Sequence, residues 1–336
     1  MIAKFFKRKS CVAIELGYSA IKGIKFCGSG SSIDACGIFP FSSRSDYPYD
    51  NPEIVVPALV SLRDKLNAKG KKVKICVNMS HVTVREIKVP VVPEDELYEV
   101  VKWELKKIID FNEEEYNLDF KVLEKIESEA VPKFLVKVYV GRKAVLKQYV
   151  SLIEHADMEV DLITIPPYAL RALFTALKGE AKSSVAIVDL GAKSSTLSIL
   201  KNGMVRFERQ LMFSSFELCD MLDKKGIEYS SLENLYLGFS LGDGSLLDKI
   251  TSEALTMLIE ELTKSFGYYN SVIKGGSVDG LYLTGGLANI PGIDSLLSTS
   301  LGINTELLNP FTRFSCKDVS IDPLRIGVCL GVGLLK

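Results

Sequence analysis

The chain has 336 residues, 47% of them hydrophobic and 25% charged, which suits a soluble globular protein with room for two domains. A net charge of −1 argues against nucleic acid as a partner, and no run reaches the roughly 18 apolar residues that span a bilayer. Seven scattered cysteines without a CxxC pair, and only two histidines, argue against zinc and for reduced, mostly buried thiols in a cytosolic protein.

Residues 1–10 lack the apolar core and cleavage site of a signal peptide. Their two phenylalanines and four basic residues read either as a frayed terminus or as a segment that touches an anionic membrane surface. Residues 11–26 then predict a β-hairpin, with Glu15 delivered to a turn at Gly17. A strand over 33–39, a turn-rich loop over 42–52, a helix over 54–69 and a strand over 72–78 follow.

Residues 82–89 alternate imperfectly and stop at Pro90. Pro93-Glu-Asp-Glu96 starts a helix, since proline suits the first turn and acids suit its positive end. That helix is expected to bury Leu97, Val100, Val101, Leu105 and Ile108. Strands over 118–126 and 134–141 and a helix over 143–156 complete an inserted α/β module, placed at 82–161. The chain returns to the first domain at 162–182, through a helix over 168–177.

The second domain, 183–312, opens on strands over 185–211, where Asp189 precedes a turn at Gly191. A helix over 213–225, a glycine loop over 238–244 and a long helix over 252–273 lead to a strand over 281–284. The pair Gly285-Gly286 follows it, and Pro291 and Gly292 introduce a helix over 293–301. Residues 313–336 return to the first domain and end in a buried apolar helix over 326–335.

An acid-x-Gly turn alone is most simply a β-turn, with glycine supplying positive φ. Three glycine turns in this order carry more meaning. Tight turns aim backbone N–H groups at phosphate, an acid at each can hold a hydrated divalent cation, and paired glycines let a flat ligand lie on bare backbone. The hairpins at Glu15 and Asp189, followed by Gly285-Gly286, resemble the two phosphate motifs and the adenosine motif of the actin/Hsp70/sugar-kinase superfamily. The basic Phe5-Phe-Lys-Arg-Lys9, the helix from Pro93 to Phe111, Tyr116-Asn-Leu-Asp-Phe120, Asn309-Pro-Phe311 and the glycine-rich tail are similar to the PilM family of type IV pilus assembly.

That resemblance implies an actin-like, ribonuclease H-like α/β fold whose first domain, 1–81 plus the two returns, carries an FtsA-type 1C insert. It implies ATP and Mg²⁺ as cofactors. Glu15 and Asp189 would hold Mg²⁺ through water, Lys22 would reach the phosphates, and Gly17, Ser19, Gly191 and Ala192 would line the phosphate turns. Gly285, Gly286 and Leu287 would lie beside the adenosine. Glu261, Lys264, Ser265 and Tyr268 share one helix face by spacing, the face that holds ribose and adenine in the superfamily. The same four positions also suit a plain solvated helix face.

Three positions depart from the family pattern. Glu15 replaces aspartate, and one methylene moves a carboxylate by roughly 1.5 Å, enough to disturb an octahedral Mg²⁺ site. Tyr18 replaces a small hydroxyl residue and would crowd a γ-phosphate. Pro166 replaces the glutamate or glutamine that orients water, so hydrolysis is expected to be weak or absent and no catalytic residue is assigned. The expected partner is the N-terminal tail of a PilN-like inner-membrane protein, lying in a groove between subdomains 1A and 1C near residues 75–79 and 82–89. The protein would then be cytoplasmic and reach the inner face of the membrane only through that partner, with self-association open. The alternatives are a cycling ATPase or small-molecule kinase of the same superfamily, or a type II secretion or FtsA-like scaffold.

Overall fold

The computed structural model describes residues 11–27, 32–41, 44–45, 47–127, 131–229, 231–236, 239, 241–316, 318 and 320–335. The basic start at 1–10 and parts of the predicted loops at 42–52 and 238–244 lie outside them. Chain contacts define two compact units, one of residues 1–77 with 153–336 and one of residues 78–152.

The larger unit begins with strands β1 (Val12–Leu16), β2 (Ala20–Phe26) and β3 (Ser32–Pro40), helix α1 (Pro52–Leu66) and β4 (Lys72–Cys76). The smaller unit holds β5 (Val82–Pro90), α2 (Glu94–Lys106), β6 (Tyr116–Ile126) and β7 (Lys133–Arg142), and α3 (Lys143–His155) begins in it and ends beyond Leu152. Back in the larger unit come β8 (Glu159–Thr164), α4 (Pro166–Lys178), β9 (Val185–Asp189), β10 (Ser195–Lys201) and β11 (Met204–Leu211). Helices α5 (Ser215–Lys224), α6 (Leu232–Leu235) and α7 (Leu246–Ser271) precede β12 (Gly280–Thr284), α8 (Ile293–Leu301) and β13 (Thr305–Leu307). The two-residue β14 (Ser315–Cys316) and α9 (Gly327–Leu334) close the chain.

Among the described residues the larger unit carries two sheets, ordered β14-β3-β2-β1-β4-β8 and β11-β10-β9-β12-β13. Each is an antiparallel meander, β1-β2-β3 or β9-β10-β11, extended by parallel strands on its first strand's side. The registers repeat as well: Glu15 faces Lys22 across the first hairpin, and Asp189 faces Thr196 across the second. The central strands are buried on both faces, and so read as continuous apolar runs rather than alternating ones. Helix α9 lies against α4, β1 and β2, and it carries Gly331 where a Cβ would collide with the backbone carbonyl of Ala169. Side-chain packing thus ties the end of the chain to the floor of the first sheet.

In the smaller unit, the sheet β5-β7-β6 packs Ile87, Val89, Val136 and Val138 against Leu97, Val101 and Leu105 of α2. Two positions expected to be buried in that core are not buried, although Val100 packs against it. Val100 is half-buried, and Ile108 lies past the end of α2 and is 56% exposed. The helical period continues through Ile108, but the chain leaves the helix at Lys107.

Several boundaries differ from the expected ones. Residue 159 already belongs to the first sheet, because β8 pairs with β4 from Glu159 opposite Lys72, so the compact insert is 78–152 rather than 82–161. Helix α7 starts at Leu246, not near 252, because Ser245 caps it by accepting the Asp248 N–H. The Asp248 carboxylate in turn accepts the N–H groups of Gly242 and Gly244. Helix α4 takes in both prolines of the Ile165-Pro-Pro turn, since a missing N–H costs nothing in a first turn. Among the described residues no helix is long and apolar enough to cross a membrane.

Candidate functional site

The two hairpin turns and the third glycine turn come together at one place in the larger unit. Opposite registers on β1 and β2 set Lys22 beside Glu15, and the lysine Nζ donates to Glu15 Oε1 over 2.6 Å. Both side chains are largely buried, and Glu15 Oε2 is a buried oxygen with no hydrogen-bond partner. Such an atom is costly unless a cation or donor satisfies it.

Asp189, at the end of β9, belongs to the same electrostatic cluster. Burial, then the charge of Glu15, push its carboxyl up to about 7, with Lys22 opposing them. Burial alone would lower the Lys22 pKa, but Glu15 and Asp189 outweigh it and hold the ammonium above its ordinary value. Two acids and one lysine therefore share a desolvated space, a charge arrangement that a divalent cation would relieve.

The turns around this cluster need glycine for steric reasons. A Cβ on Gly17 would stand 2.9 Å from Ala20 O, and one on Gly191 would stand 2.5 Å from Ser194 O. Gly285 has φ +92°, and its Cβ would meet Leu190 O at 2.5 Å and Asp189 Oδ1 at 2.7 Å. The third glycine turn thus lies on the backbone of the second hairpin turn, and Leu190 N–H donates to Thr284 O over 2.8 Å to hold it there. Helix α5 buttresses the second turn from behind, with Ser215 N–H on Gly191 O and Phe216 N–H on Ala192 O. Ser19 is exposed at the first turn.

The residues expected around the adenosine are less uniform. Glu261 accepts the N–H groups of Met212 and Phe213 at the end of β11, so it anchors that strand to α7. Ser265 is fully buried, donating to Glu261 O and accepting from Arg209 Nη1. Lys264 is exposed and pairs with Glu260 at 3.5 Å, and Tyr268 lies half-exposed against Phe207. Leu287 is buried in the core of the second half. The structure thus gathers Glu15, Gly17, Lys22, Asp189, Gly191 and Gly285, while Glu261 and Ser265 have partners within the fold.

Two features of the site went unread in the sequence. Tyr18 folds into an aromatic cluster with Tyr47 and Tyr49, ring centroids 6.5 and 6.4 Å away. The Tyr49 hydroxyl donates to Gly17 O, which fixes the first turn from below. Lys193, beside the second turn, places its ammonium 5.1 Å from the Tyr18 ring centroid, so the two turns also touch through a cation–π contact. The signal was there as three tyrosines near one turn, but nothing local told which way they face.

Comparisons with known proteins agree on the fold. The PilM–PilN type IV pilus biogenesis complex superposes with a TM-score of 0.83 at 22% identity, over 97% of this chain and 98% of that one. MreB5 of Spiroplasma citri bound to ADP gives 0.53 at 11% identity, over 97% and 95%. Cell division protein FtsA of Bacillus subtilis is 23% identical over 231 residues, 56% of this chain and 51% of that protein, so the chain spans about half the length of this curated relative. The fold is actin-like. The family model described as type IV pilus assembly protein PilM matches residues 13–325, and the chain belongs to that family.

Proposed function

We propose that this actin-like pilus assembly protein binds ATP with Mg²⁺ between its two hairpin turns, and that its main task is to hold a partner rather than to turn over nucleotide. The observation that carries the nucleotide reading is the buried, unpartnered Glu15 Oε2 beside Lys22 and Asp189, enclosed by turns in which a Cβ has no room. Glu15 and Asp189 would hold Mg²⁺ through water, Lys22 would meet phosphate oxygens, and the N–H groups near Gly17, Gly191 and Ala192 would cradle the phosphate tail. Gly285 and Gly286 would leave backbone bare beside the adenosine, with Leu287 behind them. Mg²⁺ would supply charge compensation for the phosphates.

Pro166 lies buried at the start of α4, where it has neither carboxylate nor amide to orient water. Binding without appreciable hydrolysis is the activity this residue set supports. The likeness to the PilM–PilN complex supports, as a proposal, the N-terminal tail of a PilN-like membrane protein as partner. The protein would then work in the cytoplasm and meet the membrane's inner face through that tail.

Calorimetric titration with Mg-ATP tests the nucleotide reading. Binding by the full chain, weakened at least tenfold in Asp189→Ala, is the expected result. No heat of binding in the full chain, or equal affinity in Asp189→Ala, would overturn it.

A further inference from the structure

The turn that returns the chain to the first half is pinned onto the third glycine turn. Leu324 O accepts both the Gly285 N–H and the Thr284 hydroxyl, each at 2.9 Å. Asp322 accepts the Leu324 N–H at 2.9 Å through one oxygen and the Asn289 side-chain amide through the other. The Leu324 side chain is buried in the same core as Leu287 and Ala288. These bonds leave little freedom in where the next residue, Arg325, begins.

Arg325 starts beside bare backbone. A Cβ on Gly286 would stand 4.0 Å from Arg325 Cγ, so the stem of the arginine passes over that glycine. The arginine is also close enough to Lys22 for its charge to bear on the lysine. It is half-buried. Arg325 is therefore near both the third glycine turn and the acid–lysine cluster.

We infer that Arg325 is a further nucleotide-binding residue, gripping the phosphate chain from the side of the third glycine turn. This rests on the nucleotide reading above. The chemistry is specific. Lys22 is committed to Glu15 at 2.6 Å, so an arriving phosphate must share that ammonium with a carboxylate. The cluster also holds two acids that oppose an anion. A second cation on a separate element offsets them, and a planar guanidinium can take two phosphate oxygens at once. Placed over Gly286, it would sit where a nucleotide's sugar and phosphates meet.

The test compares the full chain with Arg325→Met and Arg325→Lys. Each is titrated with Mg-ATP and Mg-ADP, and the thermal midpoint of each ligand-free protein is measured. Arg325→Met should weaken both nucleotides roughly tenfold or more, Arg325→Lys should recover part of the loss, and the ligand-free midpoints should agree. Unchanged affinity in Arg325→Met, with the native chain binding, overturns the role of Arg325 alone. Weakened binding accompanied by a lower ligand-free midpoint in both variants also overturns it, since the residue would then be structural. Failure of the native chain to bind Mg-ATP overturns the nucleotide reading, and this inference with it.

Discussion

Arg44 and Asp220 join the two halves of the larger unit. The guanidinium meets the carboxylate through both nitrogens, at 2.5 and 3.1 Å, and lies 4.5 Å over the ring of Phe216. Arg44 follows β3 in the first half. Phe216 and Asp220 sit one turn apart on α5, whose first turn is hydrogen-bonded to the Gly191–Ala192 turn. The bridge therefore clasps the first half to the element that supports the Gly191–Ala192 turn.

Both members of this pair are 41% exposed, so its contribution to stability is small, about 1 kcal/mol or less. Arg44→Ala should leave the denaturation midpoint nearly unchanged. Under the nucleotide reading proposed above, it should instead speed release of a nucleotide, because a contact between the two halves acts on their opening more than on folding. Stopped-flow displacement of a fluorescent ATP analogue measures this, and an unaltered release rate would exclude the clasp from exchange.

Asp189 gives a pH dependence with a definite sign. Its folded-state pKa is raised from 3.8 to about 7, chiefly by burial and next by Glu15. A raised pKa means that the folded protein favours the protonated acid. The group's stabilising contribution is full below pH 3.8 and is lost as pH rises through about 7. Asp189→Asn should therefore stabilise the ligand-free protein at pH 8 relative to the native chain, with the difference shrinking towards pH 5, while weakening Mg-ATP binding. Urea midpoints across that range check it. A variant less stable than the native chain at pH 8 would contradict the assignment of strain to this carboxylate.

Much of this site was legible because turn chemistry is local. Glu15 with Gly17, Asp189 with Gly191, and Gly285 with Gly286 each declare a turn within a few residues, and their order declares the two halves. What was not legible depends on direction or on distant partners. Helical spacing groups Glu261, Ser265 and Tyr268 on one side of α7 but does not say what they face, and Ser265 proves to face the core. Arg44 and Asp220 are 176 residues apart, and no local pattern marks either. Arg325 stands beside Gly286 next to Leu324, whose carbonyl accepts the Gly285 N–H, and no local pattern marks that contact. Ile108 differs for the opposite reason: the apolar period of the sequence continues past the residue where the helix stops.

Hydrolysis should be far below the typical enzymatic rate of about 10 s⁻¹. Pro166 occupies the first position of α4, where the backbone lacks an N–H and the side chain lacks any acceptor. Pro166→Glu places a carboxylate at a helix start, where the dipole tolerates it. A measurable rise in phosphate release from the variant would identify this position as one limit on turnover. Rapid turnover by the native chain would show that water is oriented by some other group.

Binding of the tail by strand addition would be read on the smaller unit. Trp103 on α2 is the only tryptophan, is 61% exposed, and has Lys107 Nζ 3.1 Å from its ring centroid. In the sheet β5-β7-β6 both β5 and β6 are outer strands, and an outer strand offers backbone donors and acceptors to an extended peptide. The N-terminal tail peptide of a PilN-like membrane protein should bind the full chain and slow amide exchange along β5 or β6. Strand addition pairs main-chain groups, so protection should alternate along one edge rather than cover the whole unit. Hydrogen–deuterium exchange with and without saturating peptide measures this directly, and Trp103 fluorescence offers an independent reading of affinity. Protection confined to residues outside 78–152 would place the tail on the larger unit and rule out strand addition here.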